Sequence, residues 1–202
     1  MNTDKKLYVA GGAEEIDKLI APLKFKEVLL YTEVLLFSLK EKSDVPYSED
    51  NQCGYLTVMN GRTCEIIFTL PFGLIPDDME SKLYHSSREQ ALRLSWRRKL
   101  DPESSDTTSY QSRKPGKGKL GGAVYADFGT AEFIFSFDGM IELKNEAMMM
   151  VLVDKLAMDY NHGLITQSEA RGRNPYWTVL LHDLVNNDLL SMVNELLIAK
   201  EK

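Results

Sequence analysis

The stretch from Gly121 to Leu156 constrains this chain most. It reads GGAVYADFGTAEFIFSFDGM and continues into IELKNEAMMMVLVDKL. Gly121 and Gly122 lead into a short apolar run, Ala123 to Ala126, with Tyr125 as its aromatic member. Asp127-Phe128-Gly129 supplies turn chemistry, because Gly takes positive φ without a Cβ clash. Ala131 to Phe137 alternates and is rich in Phe and Ile, which fits a half-buried strand. Asp138-Gly139 ends that strand. From Glu142 to Tyr160, the three- and four-residue spacing of Met149, Leu152, Val153, Leu156 and Tyr160 predicts a helix. Met148, Met150 and Val151 make most of its other faces apolar too. A helix apolar on nearly every side is packed between layers rather than laid on a surface. The methionine run reads as core filler, since Met adapts to irregular gaps; a Met-lined ligand wall is the alternative.

The flanking segments supply the rest of the layers. Leu7 to Ala10 is a tail or short strand. Ala13 to Ile20 reads as one helical turn or two, stopped by Pro22. Lys26 to Lys42 places Val28, Leu29, Thr32, Leu35, Leu36 and Leu39 on a helical face. Two strands are the alternative there, but no turn residue divides the segment. Ser43 to Gln52 is a loop. Gly54 to Leu70 reads as a hairpin turning at Asn60-Gly61, with Thr63 to Leu70 as its return strand. Asp77-Asp78 can cap a helix from Met79 to Leu100 that carries Leu83, Ser87, Leu92 and Trp96. Asp101 to Lys119 reads as a mobile loop, rich first in hydroxyls and then in Lys and Gly. Asn174-Pro175 begins a last helix, with Asn as cap and Pro in the first turn. Its broad apolar stripe, from Trp177 and Leu181 to Leu196, must dock on its own domain or on a second subunit.

These elements lack a βαβ rhythm, so the fold class is α+β. The expectation is an antiparallel sheet of four to five strands flanked by helices, with a C-terminal helix. The chain of 202 residues reads as one domain. Within it lie an N-terminal helical extension over 1–53, a core over 54–160 and a C-terminal helix over 174–200. A net charge of −6 argues against a nucleic-acid partner. No segment approaches the roughly 18 uncharged apolar residues of a membrane span. Cys53 and Cys64 have no metal-ligand spacing. They sit near the two ends of the hairpin, so a disulfide is geometrically conceivable. With no secretory signal, they read as free thiols in a reducing, cytoplasmic setting.

Complete catalytic constellations are missing from the sequence. His85, His162 and His182 have no paired zinc spacing. His85-Ser86-Ser87 are neighbours on a helix and so do not face one another, and no Gly-x-Ser-x-Gly elbow occurs. Lys114 to Gly122 could hold a phosphate or carboxylate on backbone N–H groups, though a solvated loop is the plainer reading. Arg93, Arg97, Arg98 and Lys99 read as a wet helix end that complements the helix dipole. Asp138, Glu142 and Glu146 would make any pocket at the start of the central helix acidic.

The GGAV strand, the second strand ending in a small residue plus Gly, and the acid-containing apolar helix together resemble the haem-degrading, HbpS/GlcG-like family. The likeness extends upstream. Tyr55 to Arg62 (YLTVMNGR) resembles the family's first strand and Asn-Gly turn, Ile66 to Phe68 its second strand, and Gln90 to Leu94 the body of the following helix. It covers residues 54–157. Where the family has Ser-Gly, this chain has Asp138-Gly139. Where the family has an Asp-Glu or Asp-His pair on the helix, it has Asn145-Glu146. The family's Arg-Lys pair falls near Ser86-Ser87, followed by Arg88. The resemblance implies a non-catalytic small-ligand-binding module, with haem or another tetrapyrrole as the ligand. Arg88 would pair a carboxylate, Gly121 and Gly122 would let the ligand approach the backbone, and Asn145 and Glu146 would hydrogen-bond to it. The alternative is an interaction or assembly protein, a homo-oligomer joined through its C-terminal helix or sheet edge.

Overall fold

Side chains on both faces of the two central strands are apolar or paired, so the sheet needs cover on both sides. The computed structural model describes residues 8–9, 13–21, 23–41, 53–101, 107–159 and 168–186. In chain order the elements are β1 (Tyr8–Val9), α1 (Ala13–Leu19), α2 (Phe25–Glu41), β2 (Gly54–Asn60), β3 (Ile66–Phe72), α3 (Asp77–Leu100), β4 (Ala123–Asp127), β5 (Glu132–Asp138), α4 (Glu142–Asp159), α5 (Ser168–Arg173) and α6 (Pro175–Asn186). The sheet order is β1-β3-β2-β5-β4, every neighbouring pair antiparallel. The expected α+β class is therefore observed, down to the C-terminal helix. The loop 43–52, His162-Gly163 and the last helix beyond Asn186 lie outside the described residues.

Strand period two sorts the two layers. Leu56 and Val58, Phe68 and Leu70, Val124 and Ala126, and Phe133, Phe135 and Phe137 join one core with α1, α2, α4 and α6. The opposite face gives Met59, Ala123, Tyr125 and Ile134 to a smaller cluster under α3, closed by Ala91 and Leu94. Helix α4 is the centre of the larger layer. Ala147 to Val153 are all fully buried, as its all-round apolar sequence requires. The N-terminal helices belong to this same core through Ile16, Ile20, Val28 and Leu35.

Several sequence expectations shift in detail. The hairpin loop spans 61–65 rather than two residues, so the return strand starts at Ile66 and not Thr63. The cause is local. Asn60 Oδ1 accepts hydrogen bonds from the Arg62 and Thr63 N–H groups at 2.9 and 3.0 Å, and Cys64 takes a left-handed φ of 63°. A bulge follows, because Val58 pairs with Phe68 and Met59 with Ile66, leaving Ile67 unmatched. Helix α3 begins at Asp77 with Pro76 at the cap position. Asp77 and Asp78 thus sit in the first turn and act on the dipole instead of capping by side chain. Its buried row is Leu83, Ser87, Gln90, Ala91, Leu94 and Ser95. Leu92 and Trp96 lie about 100° round from Ala91 and Ser95: Leu92 is half-buried against the rim of the smaller cluster, and Trp96 faces outward.

Residues 107–120, expected to be part of a mobile loop, instead form a strap with defined structure. Two 3-10 turns, Ser109–Ser112 and Pro115–Lys117, lie between bridges Thr108↔Val124 and Lys114↔Lys119. Arg93 fastens the strap to α3. Its Nη1 donates to Ser109 O and Ser112 Oγ, both at 2.9 Å, and its Nη2 to Leu120 O. Composition conceals this because the tie comes from a distant helix.

Candidate functional site

The two glycines and Asn145 meet where β4, β5, α3 and α4 converge. Gly122 has φ 148°, and a Cβ there would lie 2.4 Å from Gln90 Oε1 and 2.7 Å from Phe137 O. Its close approach is thus to the protein's own side chain and backbone, at Gln90 and Phe137. The Gly122 N–H donates to Ser109 Oγ at 3.1 Å, and the Gly121 N–H to Glu142 Oε1 at 2.7 Å. Asn145 is fully buried and stitches the corner. Its Nδ2 donates to Asp138 Oδ1 and Met140 O, and its Oδ1 accepts from the Met140 N–H. Beneath α3 a polar seam extends across the sheet: Thr69 to Thr57 to Ser87, then Ser136 to Gln90. Burial pushes the Asp138 carboxyl above its ordinary range, against the opposing pull of Ser86, Gln90 and Asn145 hydrogen bonds.

Glu146 faces another way, since consecutive helical residues diverge by about 100°. It is fully buried and accepts from Arg173 Nη2 at 2.7 Å and Asn174 Nδ2 at 3.0 Å. Two turns on, Asp154 accepts from Arg171 Nη2 and from Trp177 Nε1 at 3.0 Å. Burial raises the Asp154 carboxyl as well. These two acids fasten α5 and the start of α6 to α4, so the described part of the C-terminal helix docks on its own chain. The Arg173 guanidinium also lies 3.4 Å from the Tyr110 ring, whose centre is 3.5 Å from Arg113.

Arg88 stands apart from all four, on the outer side of α3. Its Nη1 donates to Tyr84 Oη, and its guanidinium lies 5.0 Å from the Tyr84 ring centre. Here an open groove of about 470 Å³ runs along the helix, walled by Arg88, Leu92, Trp96, Arg97, Leu100 and the strap's Lys119. A second hollow of about 550 Å³ lies between α3 and the hairpin loop, lined by Leu19, Cys64, Ile66 and Ile67, and shares Arg88 and Leu92 as a wall. Trp96 is 58% exposed and Leu100 79% exposed. Glu89 is the acid of the groove, and it is engaged by Arg93 at 3.0 Å and Lys119 at 3.6 Å. The concentration of cations follows from helix physics, since Arg97, Arg98 and Lys99 occupy the last turn of α3. The sequence signal for this face is Leu92, Trp96 and Leu100 at spacing four, offset from the buried row.

The remaining candidate groups are placed without catalytic geometry. Ser87 points inward to Thr57, while His85 is exposed. The Lys-Gly strap spends its N–H groups on itself: Lys117 and Gly118 donate to Lys114 O and Pro115 O. Cys53 and Cys64 are free thiols, and burial pushes the Cys53 thiol up, away from thiolate chemistry. Tyr125 is raised to about 12 by burial and by its bond with Glu132. Among the described residues, no cluster of His, Cys, Asp and Glu could hold a metal ion, and no helix is long and apolar enough to cross a membrane. No family model, curated protein or solved structure matches the chain.

Proposed function

We propose that this protein is a non-catalytic binding module whose working surface is the outer face of α3. The observation that carries the reading is the groove at Trp96: apolar Leu92, Trp96 and Leu100 beside Arg88, Arg97 and Lys119, in a chain of net charge −6. Such a face suits an anion with an apolar body. In its small-ligand form the ligand is haem or another tetrapyrrole, the class implied by the HbpS/GlcG-like resemblance. The ring would lie on Trp96, and propionates would pair with Arg88 and Arg97. Gly121, Gly122, Asn145 and Glu146 then support the fold away from the groove, because their polar groups are already paired within the chain. Titration with haemin tests this form. A Soret shift that weakens in Trp96→Ala supports it, and an unshifted Soret band rejects it.

A second reading, an interaction protein, is favoured by the openness of the groove. The apolar side chains follow the helix axis in a row instead of closing around a cavity. The surface proposed for such a partner is α3, beside the C-terminal helix and the sheet edge as the other candidates. Helix α6 packs on α4, and the free edge of β4 is covered by the Thr108 bridge and the bond from Tyr125 N–H to Thr107 O at 2.8 Å.

A further inference from the structure

We infer that the Arg173–Tyr110 stack couples the strap to the α5–α6 segment, so that release of the C-terminal segment loosens the strap. Arg173 is the junction. Its Nη2 donates to Glu146 of α4 at 2.7 Å, and its guanidinium lies 3.4 Å from the centre of the Tyr110 ring. Arg113 lies 3.5 Å from the same centre. Two guanidiniums so close to one ring centre must take opposite faces, so Tyr110 is clamped between its own strap and α5. The ring's quadrupole attracts both cations. Other ties of the strap come from Arg93 of α3 and Glu142 of α4. The attachment of α5 and α6 is of a kind that opens locally. Neither helix belongs to the sheet ladder, and α6 packs on α4 and α2. Around α5 the ties are polar: Glu146 holds Arg173 and Asn174, and Asp154 holds Arg171 and Trp177. Among the described residues, Arg171 Nε and Arg173 Nη1 are buried without a hydrogen-bond partner, which weakens the docking. A segment held this way opens at a lower free energy than the strands beneath it. The strap also carries Lys119, which walls the groove on α3 and pairs with Glu89. Release of α5–α6 on one face of the sheet therefore reaches the groove on the other, whatever ligand that groove takes.

Amide hydrogen exchange of the full chain, followed in nitrogen-15 spectra, tests the coupling. The reporters are the amides of Lys114, Lys117 and Lys119, which are bonded within the strap, those of Leu180 and Leu181 in α6, and that of Phe135 in β5. Tyr110→Leu keeps apolar bulk and removes the stacked ring. It should speed exchange in α6 by about threefold to thirtyfold, the range for a stacked cation, and leave Phe135 unchanged. Glu146→Gln should speed the strap amides, although the bonds of Glu146 go to Arg173 and Asn174 and not to the strap. Arg173→Lys, which keeps a charge for Glu146 but loses the planar stack, should speed the strap amides as well. Tyr110→Leu combined with Glu146→Gln should accelerate α6 by less than the product of the single effects, because both act on Arg173. Strap amides indifferent to Glu146→Gln or to Arg173→Lys overturn the inference, and so do α6 amides indifferent to Tyr110→Leu. Equal acceleration of Phe135 overturns it in favour of global unfolding. A double variant that reaches the full product overturns it in favour of two independent attachments. Haemin takes no part in these readouts, so failure of the binding reading leaves the coupling standing, and failure of the coupling leaves the binding reading standing.

Discussion

Replacing Glu146 by Ala should strip α5 and α6 from the body of the protein. Glu146 is fully buried and satisfies both Arg173 and Asn174. Its removal leaves a guanidinium that already has one buried nitrogen, Nη1, without a partner. Breaking a buried pair in this way costs about 3–5 kcal/mol. Arg173 is 28% exposed and can recover some hydration, so the low end, about 3 kcal/mol, is the better figure. For a chain of this size that corresponds to a melting point lower by roughly 6–12 °C. Glu146→Gln keeps an acceptor for Arg173 but loses the charge. It should cost about 1–1.5 kcal/mol, the difference between charged and neutral hydrogen bonds. Urea denaturation followed by circular dichroism gives the free energies, and Trp177, bonded to Asp154, reports locally on the α5–α6 attachment. A loss below about 1 kcal/mol in Glu146→Ala would refute the view that this acid is a structural fastener. If the Gln variant instead kept full stability and lost haemin binding, Glu146 would be the ligand group that the resemblance implies.

Further outcomes follow from the same geometry. Asp138 holds its proton more tightly folded than unfolded, because burial raises it above 3.8. Its contribution to stability is therefore greatest at low pH and declines as pH rises from 3.8 through the raised folded value. Asp138→Asn should gain on the wild type as pH rises above 3.8 in urea melts, and a constant difference would contradict the assignment. Gly122→Ala should lose at least about 2 kcal/mol, since positive φ and two contacts below 3 Å penalise it together; a near-neutral melt would contradict that. Arg93→Ala unties the strap from α3 and should speed tryptic cleavage after Lys117 more than it lowers the melting point. Unchanged cleavage would show that the strap holds without it.

The layers of the fold were legible because they rest on periodicity. The run from Met148 to Val153 marked a buried helix, and the Phe133-Phe135-Phe137 alternation marked a strand. That strand is buried on both sides, and the residues between the Phe positions carry the information. Ile134, Ser136 and Asp138 meet α3, where Ser136 and Asp138 join the polar network. Boundaries set by side-chain hydrogen bonds were less visible. Asn60 stretches its turn through Oδ1, and Arg93 orders a strap whose composition suggests a loop. The site was the least legible part. Gly121, Gly122 and Asn145 do converge, yet their partners, Ser109, Gln90 and Glu142, come from three separate segments that no local pattern joins. The spacing of Trp96 from Leu92 matches a core row, yet Trp96 is exposed. Only the contacts of Leu83, Ala91 and Leu94 with the sheet decide which row turns inward.

The most direct measurement is a nitrogen-15 spectrum of the labelled full chain titrated with metal-free protoporphyrin. The account expects the Trp96 indole N–H and the amides of Arg88, Leu92 and Leu100 to shift together. Shifts confined to Gly121, Gly122 and Asn145, with Trp96 unmoved, would contradict it and return the site to the corner between β5 and α4.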